Sequence, residues 1–459
     1  MKPDQLYQHI FKSKFRFIYM FLLSIIFMLL FLLFSGAFTQ DAVNEPTIIT
    51  TEEVKEDALE PTISITPETD SSIKEISKAT ITVTGDILMH EPLIDAGRKG
   101  NSYNFDKFFS YIEDYINEAD FAIANLETTL ASTSSGYEYS GYPHFNCPDT
   151  IADTLKRTGF DLLLTANNHS NDTGAHGIRR TQQVVNEYNL LTLGTYTTPN
   201  APKYMIQDIN GIKVGMTCYT YGTINEETGK KAVNGIPIQQ DAGKRINVFD
   251  YKNLSDFYTE MEENIESMKA EGADAYVLFI HWGNEYKTKQ NDTQEKIAQK
   301  MCDLGIDVIV GGHPHVIQPV DLLTSNIDED HKTLCIYSVG NAVSNQRASH
   351  MSLSTGHTED GILFSFTFTK YSNDEVFLEE TNAIPTWVSM RTRDGKKTFD
   401  ILPLDPDVSN WKSTLDIDDS GLKKAKSSYD RTLKIVGDGM EKASEYLEES
   451  KTKRMEQYE

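Results

Sequence analysis

The stretch "GGHPHVIQP" at 311–319 sets His313 and His315 one residue apart behind two glycines, directly after the apolar run "GIDVIV". Four other apolar runs close on similar polar residues. "ATITVTGD" ends in Asp86, "ADFAIANLE" carries Asn125 and Glu127, "FDLLLTANNH" ends in Asn167, Asn168 and His169, and "DAYVLFIHWG" contains His281. Carboxylate and carboxamide oxygens with imidazole nitrogens suit borderline divalent metals such as Zn, Mn, Fe or Ni. Two imidazoles at i and i+2 flank a pair of ions if the turn is tight, and Gly311, Gly312 and Pro314 set such a turn. A single histidine after a strand is ordinarily a hydrogen-bonded rim residue. Five strand ends of this kind together point to a metal centre holding one or two divalent ions.

The elements that must position these residues are strands and helices in alternation. The apolar runs, with "KVGMTCYTY" and "TLCIYSVGN" (which ends in Asn341), are separated by stretches of helical spacing. These are "FDKFFSYIEDYINE", "TIADTLKRTG", "GIRRTQQVVNEYN", "DFYTEMEENIESMKAEG" and "TQEKIAQKMCDLG". This alternation predicts a layered α/β fold. Open sheets of that class hold ligands outside the carboxyl ends of their strands, where the polar residues stand.

Composition narrows the partners. Of 459 residues, 68 are acidic and 43 basic, a net charge of −25. Such a surface excludes nucleic acid as a partner. It also repels an anionic polymer unless metal ions or a local basic patch compensate. Cys147, Cys218, Cys302 and Cys335 form no CxxC pair, and Cys218 and Cys335 read as small buried hydrophobes.

The N-terminus predicts location. Residues 17–34, "FIYMFLLSIIFMLLFLLF", carry no charge and are long enough for one transmembrane span. Lys2, Lys12, Lys14 and Arg16 precede them, and no base follows until Lys55, so residues 1–16 are expected in the cytoplasm and the rest outside. A cleaved signal peptide ending at "SGA" is the alternative to this signal-anchor. Residues 38–78, rich in Thr, Glu, Ser and Pro, read as a flexible extracytoplasmic stalk. A folded domain is expected from 79 to 405, and residues 406–459 as a C-terminal helical extension.

The order of these motifs resembles the calcineurin-like metallophosphoesterases. The blocks "TGDILMH", "ANLETTL", "TANNHSNDTGAHGI", "HWGNEY", "GGHPHVIQP" and "YSVGNAVSNQ" resemble more closely the bacterial poly-γ-glutamate capsule-synthesis family, CapA. The resemblance runs from about 79 to about 405 and takes in "IPTWV" and "FDILPL". It implies a layered metallophosphatase-like α/β sandwich. It also implies Asp86 on a first ion, Glu127 as the bridging acid, and Asn168 and His281 on a second ion, with His313 and His315 divided between the two. His169 is implied as a proton donor to a leaving oxygen. Glu285, in "HWGNEY", is placed with His169 among the catalytic candidates, although no chemical role attaches to it. Asn125 and Asn341 are candidates for binding substrate. The superfamily pattern calls for a histidine at position 88, where this chain has Leu88, with His90 two positions later. The wider pattern also favours Asp where Glu127 stands. A site holding one ion, or one that binds polymer without cleaving it, is the consequence.

The loop "SGYEYSGYPHFNCP" (135–148) is a candidate lip over the site, and "RASHMSLSTGHTEDG" (347–361) a polar segment able to close over it. The resemblance implies a membrane-anchored protein acting in synthesis, export or trimming of poly-γ-glutamate or a similar anionic envelope polymer. Membrane subunits of a polymer synthesis and export complex are the implied partners. Phosphoesterase or amide-hydrolase action on another envelope substrate is the alternative.

Overall fold

A computed structural model describes residues 73–351, 355–393 and 395–458. Its strands, numbered along the chain, begin with β1 Glu75–Ile87, β2 Phe121–Leu126, β3 Leu162–Leu164 and β4 Leu191–Leu193. Next come β5 Ile212–Ile224, β6 Ala275–His281, β7 Val308–Gly312, β8 Val320–Thr324 and β9 Lys332–Ile336. The last are β10 Asn341–Val343, β11 Asp360–Tyr371, β12 Val376–Arg393 and β13 Lys396–Pro403. The principal helices are α1 Thr150–Thr158, α2 Gly174–Glu187, α3 Leu254–Ala270, α4 Asp292–Asp303 and α5 Asp419–Tyr458.

The strands form two mixed sheets. One runs β13-β12-β11-β1-β2-β3-β4, with β10 pairing the end of β1; the other has the path β5-β6-β7-β9-β8, extended beyond β5 by short strands. Within them β1, β2, β3 and β4 are parallel neighbours, as are β5, β6, β7 and β9. The sheets pack face to face. Ile81, Val83 and Ile123 from the first meet Val214, Val277, Phe279 and Val310 from the second in one core. The residues between them point the other way: Ala122 and Ala124 lie under α1 and α2, and Leu278, Ile280 and Ile309 lie under α3 and α4. Strands buried on both faces lose the alternation of polar and apolar residues, which is why the sequence shows apolar runs. The result is a four-layered α/β/β/α sandwich.

Two sequence expectations shift, and a third falls outside the described residues. The run 17–34 and residues 38–72 lie outside the described residues; among the described ones, no helix is long and apolar enough to cross a membrane. The first strand starts at Glu75, so the end of the expected stalk pairs with β11, Lys78 opposite Thr369. "FDKFFSYIEDYINE" is not one helix but two short ones, Asp106–Phe109 and Glu113–Asn117, joined by a turn in which the Ile112 N–H donates to the Phe109 carbonyl.

The tail is a single 40-residue helix, α5, and the boundary drawn at 405 does not separate two cores. Its buried residues Ala425, Ser428, Thr432, Val436, Ala443 and Leu447 recur at helical spacing. Val436 and Ala443 join the core between the sheets. At Gly439 a Cβ would stand 1.9 Å from the Val320 carbonyl oxygen, so only glycine lets the helix press so close to β8. Arg431 donates to both oxygens of Asp360, at 2.8 and 2.7 Å, and the Ser428 hydroxyl donates to one of them at 2.6 Å. Asp360 is 1% exposed. Removing one partner of a buried pair strands the other charge. Arg431→Ala should therefore lower stability by about 3 kcal/mol, read as an earlier midpoint in urea unfolding; an unmoved midpoint would show that the pair does not hold the helix.

Candidate metal centre

The carboxyl ends of the parallel strands in both sheets meet at one edge of the sandwich. Asp86 lies in register with Asn125 on β2 and with Asn341 on β10. Glu127 follows β2, the turn 165–171 follows β3, His281 ends β6, and His313 and His315 follow β7. Gly311 and Gly312 belong to β7 rather than to the turn after it, where the sequence had placed them. A Cβ on Gly311 would fall 2.0 Å from the Tyr337 carbonyl oxygen. Beyond it, His313 and His315 adopt φ of 96° and 55°, values that cost a non-glycine residue about 1–3 kcal/mol each. The Tyr286 N–H donates to the Pro314 carbonyl at 2.7 Å and ties the loop after β6 to this turn.

Asp86, Glu127, His281, His313 and His315 are buried. Two groups of side chains bring ligand atoms within 4.8 Å of one another: Asp86, Glu127 and His281, and Glu285, His313 and His315. Asn168 Oδ1 lies 2.8 Å from His281 Nε2. Glu127 is 0% exposed and neither of its oxygens has a hydrogen-bond partner. The nearest cationic candidates to Oε1 are His281 Nε2 at 3.5 Å and His315 Nε2 at 3.8 Å. His313 Nδ1 is likewise buried and without a partner. A carboxylate left unpaired in a dry interior is costly, and a divalent cation is the group that would satisfy it. The residues therefore fit a metal: Asp86, Glu127, Asn168, His281, His313 and His315 would hold it, with Glu285 at the exposed rim.

The charges set one another. Burial pushes Asp86 up, but the hydrogen bond from His315 and the charges of His281 and His315 outweigh it and hold the acid below its ordinary value. Burial, with the charges of His281 and His315, drives His313 well down. Burial alone would lower His315 also; the Glu127 charge and the Asp86 hydrogen bond override it and raise His315 to about 9. That folded value lies above the ordinary 6.5, so its contribution to metal-free stability is complete below about 6.5 and lost as pH rises through about 9. A cation must displace this proton. Apparent metal affinity should fall toward tenfold per pH unit below the raised value, or about fiftyfold from pH 9 to pH 7. Calorimetric titrations at the two values test this, and equal affinities would show that no proton is displaced.

Several predicted residues have protein partners. Asn125 Nδ2 donates to Asp86 at 2.7 Å and its Oδ1 accepts from Asn167 at 3.1 Å. Asn341 is fully buried. Its Nδ2 donates to the carbonyls of His315 and Thr358 and to Gln346 Oε1, while its Oδ1 meets His315 Nδ1 at 3.1 Å. Both carboxamides position ligand residues. Glu285 is exposed and joins the His313–His315 group, which makes it a candidate ligand as well. Leu88 is buried, and β1 ends at Ile87, so strand alternation does not carry His90 to the centre. His90 Nδ1 instead lies 3.1 Å from the Leu88 carbonyl and accepts from the Asn345 N–H.

His169 is buried beside the ligands, its Nδ1 2.7 Å from Asp172 Oδ2 and its ring edge-on to Phe145. Asp172 also accepts from the Phe145 N–H at 2.6 Å. The pairing role of Asp172 escaped the sequence, although its spacing of three from His169 was the available signal. Phe145 brings the 135–148 loop to the site, while Tyr142 at its tip is 80% exposed.

A four-layered sandwich with acids, a carboxamide and imidazoles at its strand ends defines an α/β protein with a candidate metal centre. The family model described as "Bacterial capsule synthesis protein PGA_cap" matches residues 80–346, and the chain belongs to that family. The capsule biosynthesis protein CapA of Bacillus anthracis is 28% identical over 276 residues, which cover 60% of this chain and 61% of that one. The PGA biosynthesis protein CapA of Bacillus subtilis (strain 168) is 28% identical over 243 residues, covering 52% of this chain and 57% of that one. The chain thus spans about three fifths of the length of these curated relatives. The solved calcineurin-like phosphoesterase YfkN from Bacillus subtilis superposes with a TM-score of 0.39 at 14% identity, over 77% of this chain and 99% of that one, a likeness too distant to carry an argument.

Proposed function

We propose that the protein acts outside the cell in making, exporting or trimming an anionic capsule or envelope polymer of the poly-γ-glutamate kind, through a divalent metal held at the strand ends. The observation that carries this reading is Glu127, fully buried, with no hydrogen bond to either oxygen and with the imidazoles of His281 and His315 beside it. Capsule-synthesis relatives supply the polymer class. When bound, a divalent metal supplies Lewis acidity to a scissile carbonyl or phosphoryl group. The chain's own part is to hold that group among Asp86, Glu127, Asn168 and the three histidines. His169, oriented through Nδ1 by Asp172, has its other ring nitrogen left to protonate a leaving atom.

Metal content and polymer length after incubation test the reading in one experiment on the full-length protein. Bound divalent metal that His313→Ala removes, together with shortening of a γ-linked glutamate polymer, is expected. Metal-loaded protein that leaves the polymer intact would sink the hydrolytic reading. A second reading, polymer binding without cleavage, is favoured by Leu88, which supplies no ligand where the superfamily pattern has a histidine.

The same proposal places residues 17–34 in the membrane. The full-length chain should then stay with the membrane fraction after alkaline washing. Mature protein beginning near Ala37 in the culture medium would overturn the anchor.

A further inference from the structure

An acidic protein that handles an acidic polymer needs somewhere to hold it. Among the described residues, one hollow outside the metal centre is lined by more basic than acidic side chains. This cavity, of about 540 Å³, lies between the first turns of α5 and residues 347–349 and 355–359. Arg347, Lys423, Lys424 and Arg431 line it, against one acid, Glu359. The chain as a whole has 43 basic and 68 acidic residues.

The four cations divide into two kinds. The guanidinium groups are already committed: Arg347 pairs with Glu359 at 2.7 Å, and Arg431 with Asp360. They build a fixed floor. Lys423 and Lys424 are exposed, and no ion pair involves either among the described residues. Positions 423, 424, 427 and 431 share one face of the helix, and that face looks into the cavity. A solvated row of lysines on a convex helix face would need no explanation. These two rim a hollow whose volume falls in the range of about 300–1,000 Å³ typical of ligand sites, and the Trp387 indole forms part of its wall.

We propose that this cavity is a subsite for a polycarboxylate chain, anchored by Lys423 and Lys424 and lying against Trp387. The choice of a polycarboxylate rests on the polymer reading given above; the cavity and its charge do not. Its wall leads directly to the metal centre. Gln346, next to Arg347, accepts from Asn341, as does the Thr358 carbonyl, and Asn341 meets His315. A polymer seated in the cavity therefore runs alongside the segment that positions a ligand histidine. The subsite also supplies the local basic patch without which a protein of net charge −25 would repel such a chain.

The test uses a fluorescent γ-linked glutamate decamer and polarisation of the full-length protein in detergent, at low and physiological salt. The Lys423→Glu, Lys424→Glu double variant should bind at least tenfold more weakly at low salt, with unchanged metal content and circular dichroism. Equal binding by variant and wild type would overturn the subsite. Lysine-dependent binding of a polyphosphate of similar length, with none of the decamer, would overturn the polycarboxylate assignment. Lysine-dependent binding of a decamer that is never shortened would support the subsite while removing only the hydrolytic reading of the centre.

Discussion

Glu127→Gln should erase the thermal stabilisation that a divalent cation gives the wild-type protein. The argument rests on what surrounds the acid. Glu127 is wholly buried, neither oxygen accepts a hydrogen bond, and the imidazoles of His281 and His315 stand 3.5 and 3.8 Å from Oε1. Without a cation, a desolvated carboxylate of this kind works against the fold, at a cost of several kcal/mol. Loading reverses that cost. At a thousandfold excess over Kd a ligand specific for the folded state adds about 4 kcal/mol, which for a domain of this size moves Tm by roughly 5 °C. Glutamine keeps the shape but offers one neutral oxygen where two charged ones stood. Melting curves of both proteins with chelator and with added Mn²⁺ or Zn²⁺ decide the matter. A variant that keeps the full shift would remove Glu127 from the ligand set.

His169→Ala should lower turnover on any polymer the protein shortens by about 10²–10⁴-fold, the usual contribution of a positioned acid or base, and should leave metal content unchanged. His169 is separable from the ligands because its Nδ1 is engaged by Asp172, 2.7 Å away, and because Phe145 packs against its ring. Asp172→Asn keeps the hydrogen-bonding shape without the charge, so its loss should be smaller and fall mainly in kcat. Parallel loss of metal in His169→Ala would make the residue structural; unchanged turnover would exclude it from proton transfer.

The strands that deliver the site were legible because they are buried on both faces. "DAYVLFIHWG" and "IDVIVGGHPH" announce themselves as apolar runs with polar ends, and they are β6 and β7 with the residues that follow. What carboxamides do there was not legible. Asn125 and Asn341 share a residue type and a strand-end position with Asn168. Only the structure shows that two of them turn their amides onto Asp86 and His315, while Asn168 meets His281. The long antiparallel run β11–β13 also escaped notice. Its pairing is settled by contacts along strands of up to 18 residues, not by a local signature. Helix α5 read as an appendage because mixed charge dominates its composition. Its packing depends on a few small residues, Ala425, Gly439 and Ala443, that composition does not weigh. Leu88 was visible as a departure. Glu285, which stands with His313 and His315, comes from the loop after another strand, so no spacing rule could have connected the two.

Strand β1 links the tail helix to the metal centre. The chain enters the described domain near Glu75, where Lys451 of α5 pairs with that residue, and eleven residues later the same strand presents Asp86 to the centre. At about 3.3 Å per residue the distance between them is about 36 Å. Any tether upstream of Glu75 thus grips a stiff spar at its heel, and the chemistry is carried at the tip. If residues 17–34 anchor the chain as proposed, lengthening or shortening the segment before Glu75 would move the metal centre relative to the membrane.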